Sequence, residues 1–566
     1  MLSPAELEVL RQSLGAVPEE MGVVLVRSAY SPNIKERRDA SCALFDPRGR
    51  MVAQAEHIPV HLGSMPLAVE ELLRRGEDLG PGDAWIVNDP YAGGSHLPDI
   101  TVISPVHAGG GKAGGRGAGE RLLGFAVNKA HHADVGGSAP GSMPATARRL
   151  DEEGVVITLQ PLMRADEPAG EAWKLLEEAS RTPEERKGDL RAQLGANSVG
   201  AARLRSFVAR YGIKRWGAFC DEVIDYSRRR MEAALSSLRA GTYAAEGTIE
   251  GPGPSHLWPP GIRVPSVGPL VVAVDVTLGG GRARFDFTRS AGEVDAPLNA
   301  PYSVTLSAVY YSLRAMTDPT IPPNHGCYLP VEVVAPRGSL LNPEPPHPVA
   351  AGNVETSQRV ADVCLAALGQ AAPDGPVAMS QGTMNNVLIG KSGRGAFTFY
   401  ETLGGGEGGT PWRRRGGMSG IHTHMTNTMN TPVEALEAAY PLRVRALLVR
   451  RGSGGRGLHP GGDGVEKRIE VLADGAVLTL LGDRRIDGPP GAAGGEPGSP
   501  GRDRLVRRGR TYELPSKCVL KLVKGDVVVV ETPGGGGWGA PPGPKERGEG
   551  PDGRGEAPDG RGGAPR

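Results

Sequence analysis

Residues 83–106, DAWIVNDPYAGGSHLPDITVISPV, contain the pattern on which the predicted fold depends. Both ends of this stretch, residues 83–90 and 99–106, are short apolar runs of the kind that form strands. The segment between them, NDPYAGGSHLPD, is rich in Gly, Pro and polar side chains, so it predicts a turn-rich loop. A third apolar run, residues 122–132 (LLGFAVNKAHH), predicts another strand. The N-terminal region is therefore expected to contain these strands together with helices.

Helices and strands occur in blocks along the rest of the chain. One helix is predicted to start at Ser3, a second to cover residues 18–29 and a third residues 64–76, and residues 170–241 are helical in pattern. This order predicts an α+β (mixed α/β) fold, a multi-layer sheet-and-helix core with a central helical subdomain. The expected units are an N-terminal α/β region (1–169), the helical segment (170–241), a β-rich region with glycine loops (242–540) and a disordered Gly/Pro-rich tail (541–566).

The composition excludes several classes of function. The 566 residues include 64 basic and 64 acidic ones, so a general attraction to nucleic acid or to anionic membranes is not expected. No apolar run approaches the ~20 residues that span a bilayer. The five cysteines are scattered without a CxxC pair, which predicts a reducing compartment, and the N-terminus lacks a signal pattern. We therefore expect a cytoplasmic protein.

Histidines and carboxylates occur together at two places, with a spacing that predicts a metal site. His96 precedes Asp99 by three residues, and His131, His132 and Asp134 lie at the end of a separate predicted strand. Imidazole and carboxylate ligands together suit Mn, Fe or Zn. The pattern leaves a hydrogen-bonded loop network as the alternative.

Two stretches resemble nucleotide-binding signatures but lack an essential part. GTMNNVLIGKS (residues 382–392) has Asn385 where the phosphate-binding loop needs glycine. GGGEGG (residues 404–409) is not followed by a helix that could bind a pyrophosphate. We expect no ATP site in this chain and interpret residues 404–409 as a glycine loop beside a substrate pocket.

Long sequence blocks, found in one order from about residue 20 to 540, resemble a known family. They include ERRDASCALFDPRGRMVAQAEHIPVHLGSM, GDAWIVNDPYAGGSHLPDITVISPV, GFAVNKAHHADVGGSAPGSM, GNVETSQRVAD and HMTNTMNTPVEALEAAYPLRV. On these blocks the chain resembles the hydantoinase B/oxoprolinase family. It departs from the family pattern after Asp286-Phe-Thr and at Met429, and both positions could bear on substrate preference.

The resemblance implies the B-type subunit of an ATP-dependent cyclic amide hydrolase that acts on a small molecule of the hydantoin or 5-oxoproline type. An A-type ATPase subunit is implied to bind ATP and Mg and to phosphorylate the substrate, within a hetero-oligomer such as α2β2. Two alternatives remain: the large subunit of an acetone- or acetophenone-type carboxylase, and a non-catalytic scaffold. A divalent metal (Mn, Fe or Zn) is implied on His96, Asp99 and either His131 or His132, with His131 preferred.

The same resemblance suggests roles for other polar groups. Water activated by the metal would attack the phosphorylated carbon, with Asp89 or Asp134 as the proton acceptor. Backbone N–H groups of five glycines would approach phosphate or an oxyanion. These are Gly93, Gly94, Gly404, Gly405 and Gly406.

Overall fold

The structure is a computed structural model that describes residues 3–55, 57–109, 121–253, 258–412 and 416–542. The predicted tail lies outside the described residues from residue 543 onward. Within them, four sheets pack with helices, which confirms the α+β prediction. No helix in these ranges has both the length and the apolar character needed to cross a bilayer.

The N-terminal sheet has seven antiparallel strands in the order β2-β1-β5-β4-β3-β6-β7. The three strands predicted from residues 83–90, 99–106 and 122–132 are β3, β4 and β5, and they are neighbours in this sheet. Nearly all their residues are buried, as expected for strands that are covered on both faces. The strands are β1 (Ala40–Phe45), β2 (Met51–Ala55), β3 (Ala84–Val87), β4 (Asp99–His107), β5 (Leu122–His131), β6 (Gln160–Arg164) and β7 (Glu167–Pro168).

Helices from two distant parts of the chain cover one face of this sheet. The first helix, α1, packs on α5, and both share an apolar core with α6 and with β1, β4 and β5. The predicted helical block therefore forms part of the N-terminal core, and the division into units stays a prediction. The helices are α1 (Pro4–Ser28), α2 (Pro32–Lys35), α3 (Ser64–Arg74), α4 (Ala172–Ala179), α5 (Pro183–Tyr211) and α6 (Ile213–Ser236).

The first two predicted helices are one continuous helix, so that prediction was wrong. The start at Ser3 is correct: its hydroxyl accepts the Glu6 N–H at 3.3 Å, and the Glu6 carboxylate accepts the Ser3 N–H at 2.9 Å. The helix continues through Pro18 because its buried stripe runs on to Met21 and Leu25, which pack in the shared core. Tertiary packing thus outweighs the cost of an internal proline.

A second sheet, in the order β11-β10-β9-β8, carries a pair of helices. The helix α8 lies on β8 and β9 and also contacts α7. A π-helical turn, Gly352–Thr356, leads directly into α8. These elements are β8 (Gly241–Ile249), β9 (Leu270–Gly279), β10 (Arg282–Asp286), β11 (Val331–Val334), α7 (Tyr302–Met316) and α8 (Ser357–Ala371).

Two further sheets, in the orders β13-β12-β16-β19 and β14-β15-β20-β17-β18, share an apolar core. Ile389 and Leu478 from the first sheet belong to the same core as Ile469 and Val528 from the second. The elements are β12 (Asn386–Lys391), β13 (Phe397–Thr402), α9 (Val433–Ala439), β14 (Leu442–Val449), β15 (Val465–Val471), β16 (Val477–Leu481), β17 (Arg502–Arg507), β18 (Arg510–Leu514), β19 (Lys517–Lys521) and β20 (Val527–Glu531).

Glycine-rich segments beside these sheets pack backbone against backbone. A Cβ added at Gly406 would lie 2.0 Å from the Gly462 oxygen, and one at Gly535 would lie 2.0 Å from the Glu407 oxygen. The Gly406 N–H donates to Pro533 O at 3.0 Å, and the Gly535 N–H donates to Gly462 O at 2.9 Å. We call this region, formed by residues 404–409, 454–464 and 534–537, the glycine array. Close packing accounts for much of the glycine content of this part of the chain.

Candidate metal centre

Three buried side chains from the predicted site converge on one point. His96 Nε2 and His131 Nδ1 each lie 3.0 Å from Asp99 Oδ1, and the two nitrogen atoms lie 3.2 Å apart. All three residues are at least 97% buried. Among the described residues these three form a group that can hold a metal ion. We call it the His–Asp–His cluster.

The backbone sets this arrangement. Asp99 opens β4 and His131 closes β5, and the two residues are direct partners in the antiparallel ladder. His96 lies in the turn just before β4, where its carbonyl accepts the Asp99 N–H at 3.0 Å. Side chains of paired residues project from the same face of a sheet, so the register alone brings Asp99 and His131 together. The cluster is thus built on rigid elements.

Electrostatics favour the ionised carboxylate and the neutral imidazole that metal binding needs. Burial raises the pKa of Asp99, but the charge of His96 and hydrogen bonds from His131, His61 and His96 lower it further, so the net pKa lies well below its usual range. Burial lowers the pKa of His131, and Asp99 opposes this only partly. Both groups can therefore donate lone pairs near neutral pH.

A second layer of polar groups orients Asp99. The Ser95 hydroxyl donates to Asp99 Oδ2 at 2.6 Å, and Lys129 Nζ donates to the Ser95 oxygen at 3.2 Å. His61 Nε2 lies 3.5 Å from Asp99 Oδ2, and His61 Nδ1 lies 2.9 Å from Ser41 Oγ. Burial lowers the pKa of Lys129 to about 8. Such partners tune a ligand carboxylate.

None of these partners of Asp99 is among the site residues predicted from the sequence. One signal for them is Lys129, a charged residue inside a buried strand, because lysine is rarely buried without a partner. Ser95 carries no comparable local signal, since a loop serine is commonly exposed.

The cluster fits a divalent transition metal. Ligand atoms at about 2.0–2.2 Å from one ion lie roughly 3 Å apart when they are neighbours in an octahedron. The distances between the three ligand atoms, 3.0–3.2 Å, agree with this spacing. Two imidazoles and one carboxylate form a donor set suited to Mn, Fe or Zn.

His131, rather than His132, belongs to the cluster. His132 Nε2 lies 2.9 Å from Gln193 Oε1 on α5, which covers the other face of the sheet. Successive side chains of an extended chain point to opposite faces, so only one of two adjacent histidines can reach Asp99. Burial lowers the pKa of His132 to about 4.

The two predicted proton acceptors are engaged elsewhere. Asp134 Oδ2 accepts from Arg181 Nη1 at 2.9 Å, and the Asp134 carboxylate also accepts the Gly136 and Gly141 N–H groups. Asp89 Oδ1 accepts the Tyr91 N–H at 2.9 Å, and burial raises the pKa of Asp89. Neither carboxylate is hydrogen-bonded to the His–Asp–His cluster, so their catalytic role stays a prediction.

The five predicted glycines are close-packed. A Cβ at Gly93 would meet the Ala68 backbone at 2.6 Å, and one at Gly94 the Asn88 oxygen at 2.5 Å. In the glycine array, Gly404 and Gly406 meet backbone atoms and Gly405 meets a glutamine side chain, all closer than 3.0 Å. Packing explains the need for glycine at these positions, and contact with a phosphate stays a prediction.

A small cavity of about 20 Å³ adjoins Asp99 and His131. It is large enough for a water molecule or an ion. Tyr400 lines it and lies with its ring centre 4.9 Å from that of His131. Asn353, Met384 and Met425 also line it. The cavity thus joins the cluster to β13, to the π-helical turn and to the loop before α9.

Sequence comparison relates this chain to known proteins. The model of the family described as hydantoinase B/oxoprolinase matches residues 3–541. The chain belongs to the hydantoinase B/oxoprolinase family. An uncharacterised protein of Methanocaldococcus jannaschii is 37% identical over 94% of this chain and 90% of its own length. Arabidopsis thaliana 5-oxoprolinase 1 is 38% identical over 94% of this chain, which spans only 42% of that enzyme.

Other relatives of this family member match over most of their length. A Pseudomonas protein, provisionally named as the B-type subunit of a D-/L-hydantoinase, is 31% identical over 95% of this chain and 90% of its own. The ATP-dependent caprolactamase of Pseudomonas jessenii superposes with a TM-score of 0.83 at 27% identity, over 95% of this chain and 92% of that one. Acetone carboxylase superposes with a TM-score of 0.85 over 95% of this chain and 76% of its own. Its sequence identity is only 19%, so this likeness shows the shared fold alone.

Proposed function

We propose that this chain is the B-type subunit of an ATP-dependent cyclic amide hydrolase. An A-type ATPase subunit would first phosphorylate the carbonyl oxygen of the ring, and this chain would then open the ring. The observation that carries the proposal is the buried His–Asp–His cluster in a member of this family. Relatives are named for 5-oxoproline, hydantoin and caprolactam, and these three molecules are all cyclic amides.

Phosphorylation solves the main chemical problem of this reaction. Resonance makes an amide carbon a poor electrophile, whereas an O-phosphorylated lactam has a C=N carbon with a good leaving group. Water adds its oxygen to that carbon, both its hydrogens end on the ring nitrogen, and the C–N bond breaks to leave an acyl phosphate and an amine. A second water then releases inorganic phosphate and leaves a carboxylate.

The chain's own residues would prepare the first addition. His96, Asp99 and His131 would hold a divalent metal, which supplies a bound water of lowered pKa. Ser95 donates to the Asp99 carboxylate and accepts from Lys129, and these hydrogen bonds orient the carboxylate. The sequence also predicts Asp89 or Asp134 as the proton acceptor, and this assignment stays a prediction.

Reconstitution with an A-type partner tests the proposal. The purified complex, loaded with Mn²⁺ or Zn²⁺, is assayed for ATP hydrolysis with 5-oxoproline, hydantoin, ε-caprolactam, or acetone plus bicarbonate. We expect at least one cyclic amide to stimulate ATP hydrolysis and to be opened in proportion. Stimulation by acetone and bicarbonate alone would instead support the carboxylase alternative. Stimulation by none of the four would contradict the proposal.

A further inference from the structure

The π-helical turn before α8 brings Asn353 to the cluster, although this residue lies 257 positions from His96. Close packing locks the turn: a Cβ at Gly352 would lie 1.8 Å from the Asn299 oxygen. The Ser357 hydroxyl donates to the Asn353 carbonyl at 2.6 Å. π-helical turns occur frequently at functional sites because they reposition a side chain. Asn353 is therefore held in a fixed place.

The side-chain amide of Asn353 has few hydrogen-bond partners among the described residues. Its Nδ2 lies 3.2 Å from His96 Nε2, and its Oδ1 is buried and has no partner among the described residues. The residue is 97% buried and lines the cavity beside Asp99 and His131. A buried polar atom without a partner is costly and calls for an explanation.

Metal binding would remove the hydrogen-bond partner of the Asn353 side-chain amide. The lone pair of His96 Nε2 would then bind the ion, so Asn353 Nδ2 would lose the protein partner that the structure shows. An asparagine amide offers two donor hydrogens and an acceptor oxygen. At the edge of the cavity, these groups would then be available to a molecule that enters it.

We infer that Asn353 positions the ring amide of the substrate next to the cluster. Its Nδ2 donates to the ring nitrogen of the phosphorylated C=N form, and its Oδ1 accepts the N–H that forms on this nitrogen when water adds. This inference rests on the proposed function and narrows it to cyclic amides whose ring nitrogen carries hydrogen. An N-alkylated ring could neither donate to Oδ1 nor form a neutral C=N.

The lining of the cavity is compatible with this role. Its volume, about 20 Å³, holds a water molecule but not a ring. Two of the lining side chains, Met384 and Met425, are unbranched and adaptable, so the space can enlarge when they change rotamer. Asn353, fixed by its turn, would keep its place while they move.

The test compares two substrates in the reconstituted complex. These are the cyclic amide that the complex opens and its derivative methylated on the nitrogen of the scissile amide. We expect wild type to prefer the N–H substrate at least 100-fold in kcat/KM. In Asn353→Ala, kcat/KM for the N–H substrate should fall at least tenfold, and the preference should shrink by a similar factor. Part of the preference should remain, because an N-alkylated ring still cannot form a neutral C=N. Met425→Leu changes the same cavity lining without polar atoms, so any change in kcat/KM should affect both substrates equally and keep the preference.

Metal content and thermal unfolding separate this role from a structural one. Asn353→Ala should bind one equivalent of metal and unfold at the wild-type temperature within a few degrees. Loss of the metal would overturn the inference, because Asn353 would then serve the ion. An unchanged preference would also overturn it, while ring opening by wild type would still support the proposed function. If wild type opened no cyclic amide, both this inference and the proposed function would be contradicted.

A second variant keeps the inference testable if Asn353→Ala does not fold. Asn353→Asp retains the shape and the acceptor atoms but lacks the donor hydrogens. We expect KM for the N–H substrate to stay within threefold of wild type and kcat to fall at least tenfold. Full wild-type kcat in this variant would contradict the role of Nδ2.

Discussion

His96 Nε2 and His131 Nδ1 lie 3.2 Å apart, although 35 residues separate them in the chain. The pairing of β4 with β5 produces this proximity, since it places His131 opposite Asp99. The sheet register thus sets the spacing of Asp99 and His131, and the turn closed by the Asp99 N–H and the His96 carbonyl sets the position of His96. Changes to single ligands should therefore alter metal binding without loss of the fold.

Replacing His131 and replacing His132 should have different effects on metal content. His131→Ala removes a cluster atom, so we expect metal content to fall at least tenfold. His132→Ala removes the contact with Gln193 and leaves a cavity at a fully buried position, so we expect full metal content and about 2–4 kcal/mol lower stability. Elemental analysis of the two purified variants is the measurement. Loss of metal from His132→Ala alone would contradict the assignment of His131.

Glu153 should make stability depend on pH. Burial raises the pKa of Glu153 from 4.5 to about 8, although it accepts N–H groups from Val349 and Ala350. The folded state therefore binds more protons than the unfolded state between these two values, and stability decreases as pH rises through that range. Glu153→Gln cannot titrate. The free energy of unfolding of wild type should therefore fall relative to that of Glu153→Gln as the pH rises from 5 to 8.5. We expect this change to be on the order of a few kcal/mol.

Urea unfolding at several pH values measures this difference. The wild-type protein at pH 5 is the internal reference, because Glu153 is protonated there in the folded state. A difference between Glu153→Gln and wild type that stays constant with pH would contradict the raised pKa.

The glycine array should tolerate no side chain. In Gly406→Ala the new Cβ would lie 2.0 Å from backbone atoms of Gly462 and Gly535. We expect a loss of about 3 kcal/mol or more, or no folded protein. Gly195 in α5 is the matched control, because nothing lies within 4 Å of an added Cβ. Gly195→Ala should stabilise the protein by about 0.5–1 kcal/mol. Equal denaturation midpoints for the two variants would contradict this account of packing.

Replacing Asp134 or Asp89 by the isosteric asparagine distinguishes the roles of the two carboxylates. Asp134→Asn breaks the buried pair with Arg181, so we expect a stability loss of about 3 kcal/mol. Asp89→Asn weakens only the contact with the Tyr91 N–H, with a loss of about 1 kcal/mol. We expect both variants to keep the metal, and the one that lacks the proton acceptor to lose at least a hundredfold in turnover. Turnover within tenfold of wild type in both variants would contradict the predicted role. A hundredfold loss in a folded, metal-loaded variant would identify that residue as the proton acceptor.

Local pattern was sufficient to predict the strands that carry the ligands. The apolar runs at residues 83–90, 99–106 and 122–132 correspond to β3, β4 and β5, because buried strands have a strong local signal. Spacing also indicated His96 and Asp99 as a pair. The family resemblance already favoured His131, and the sheet register, which depends on contacts between distant residues, places it opposite Asp99.

Other features depend on tertiary contacts that no local pattern contains. Asn353 reaches His96 only through the packing of the π-helical turn. Residues 404–409 pack in the glycine array, and their place beside a substrate pocket stays a prediction. Glycine-rich sequence alone does not predict this packing, because the partner segments are far away in the chain. The continuous helix α1 was missed because packing outweighs the effect of Pro18.

The central claim is that the His–Asp–His cluster holds a metal that ring opening requires. The most direct test is the rate of cyclic amide opening by the reconstituted complex after chelation and after stepwise addition of Mn²⁺ or Zn²⁺. We predict that the stripped complex falls to the background rate and recovers fully at one equivalent per chain. A stripped complex that opens the ring at the full rate would contradict the claim.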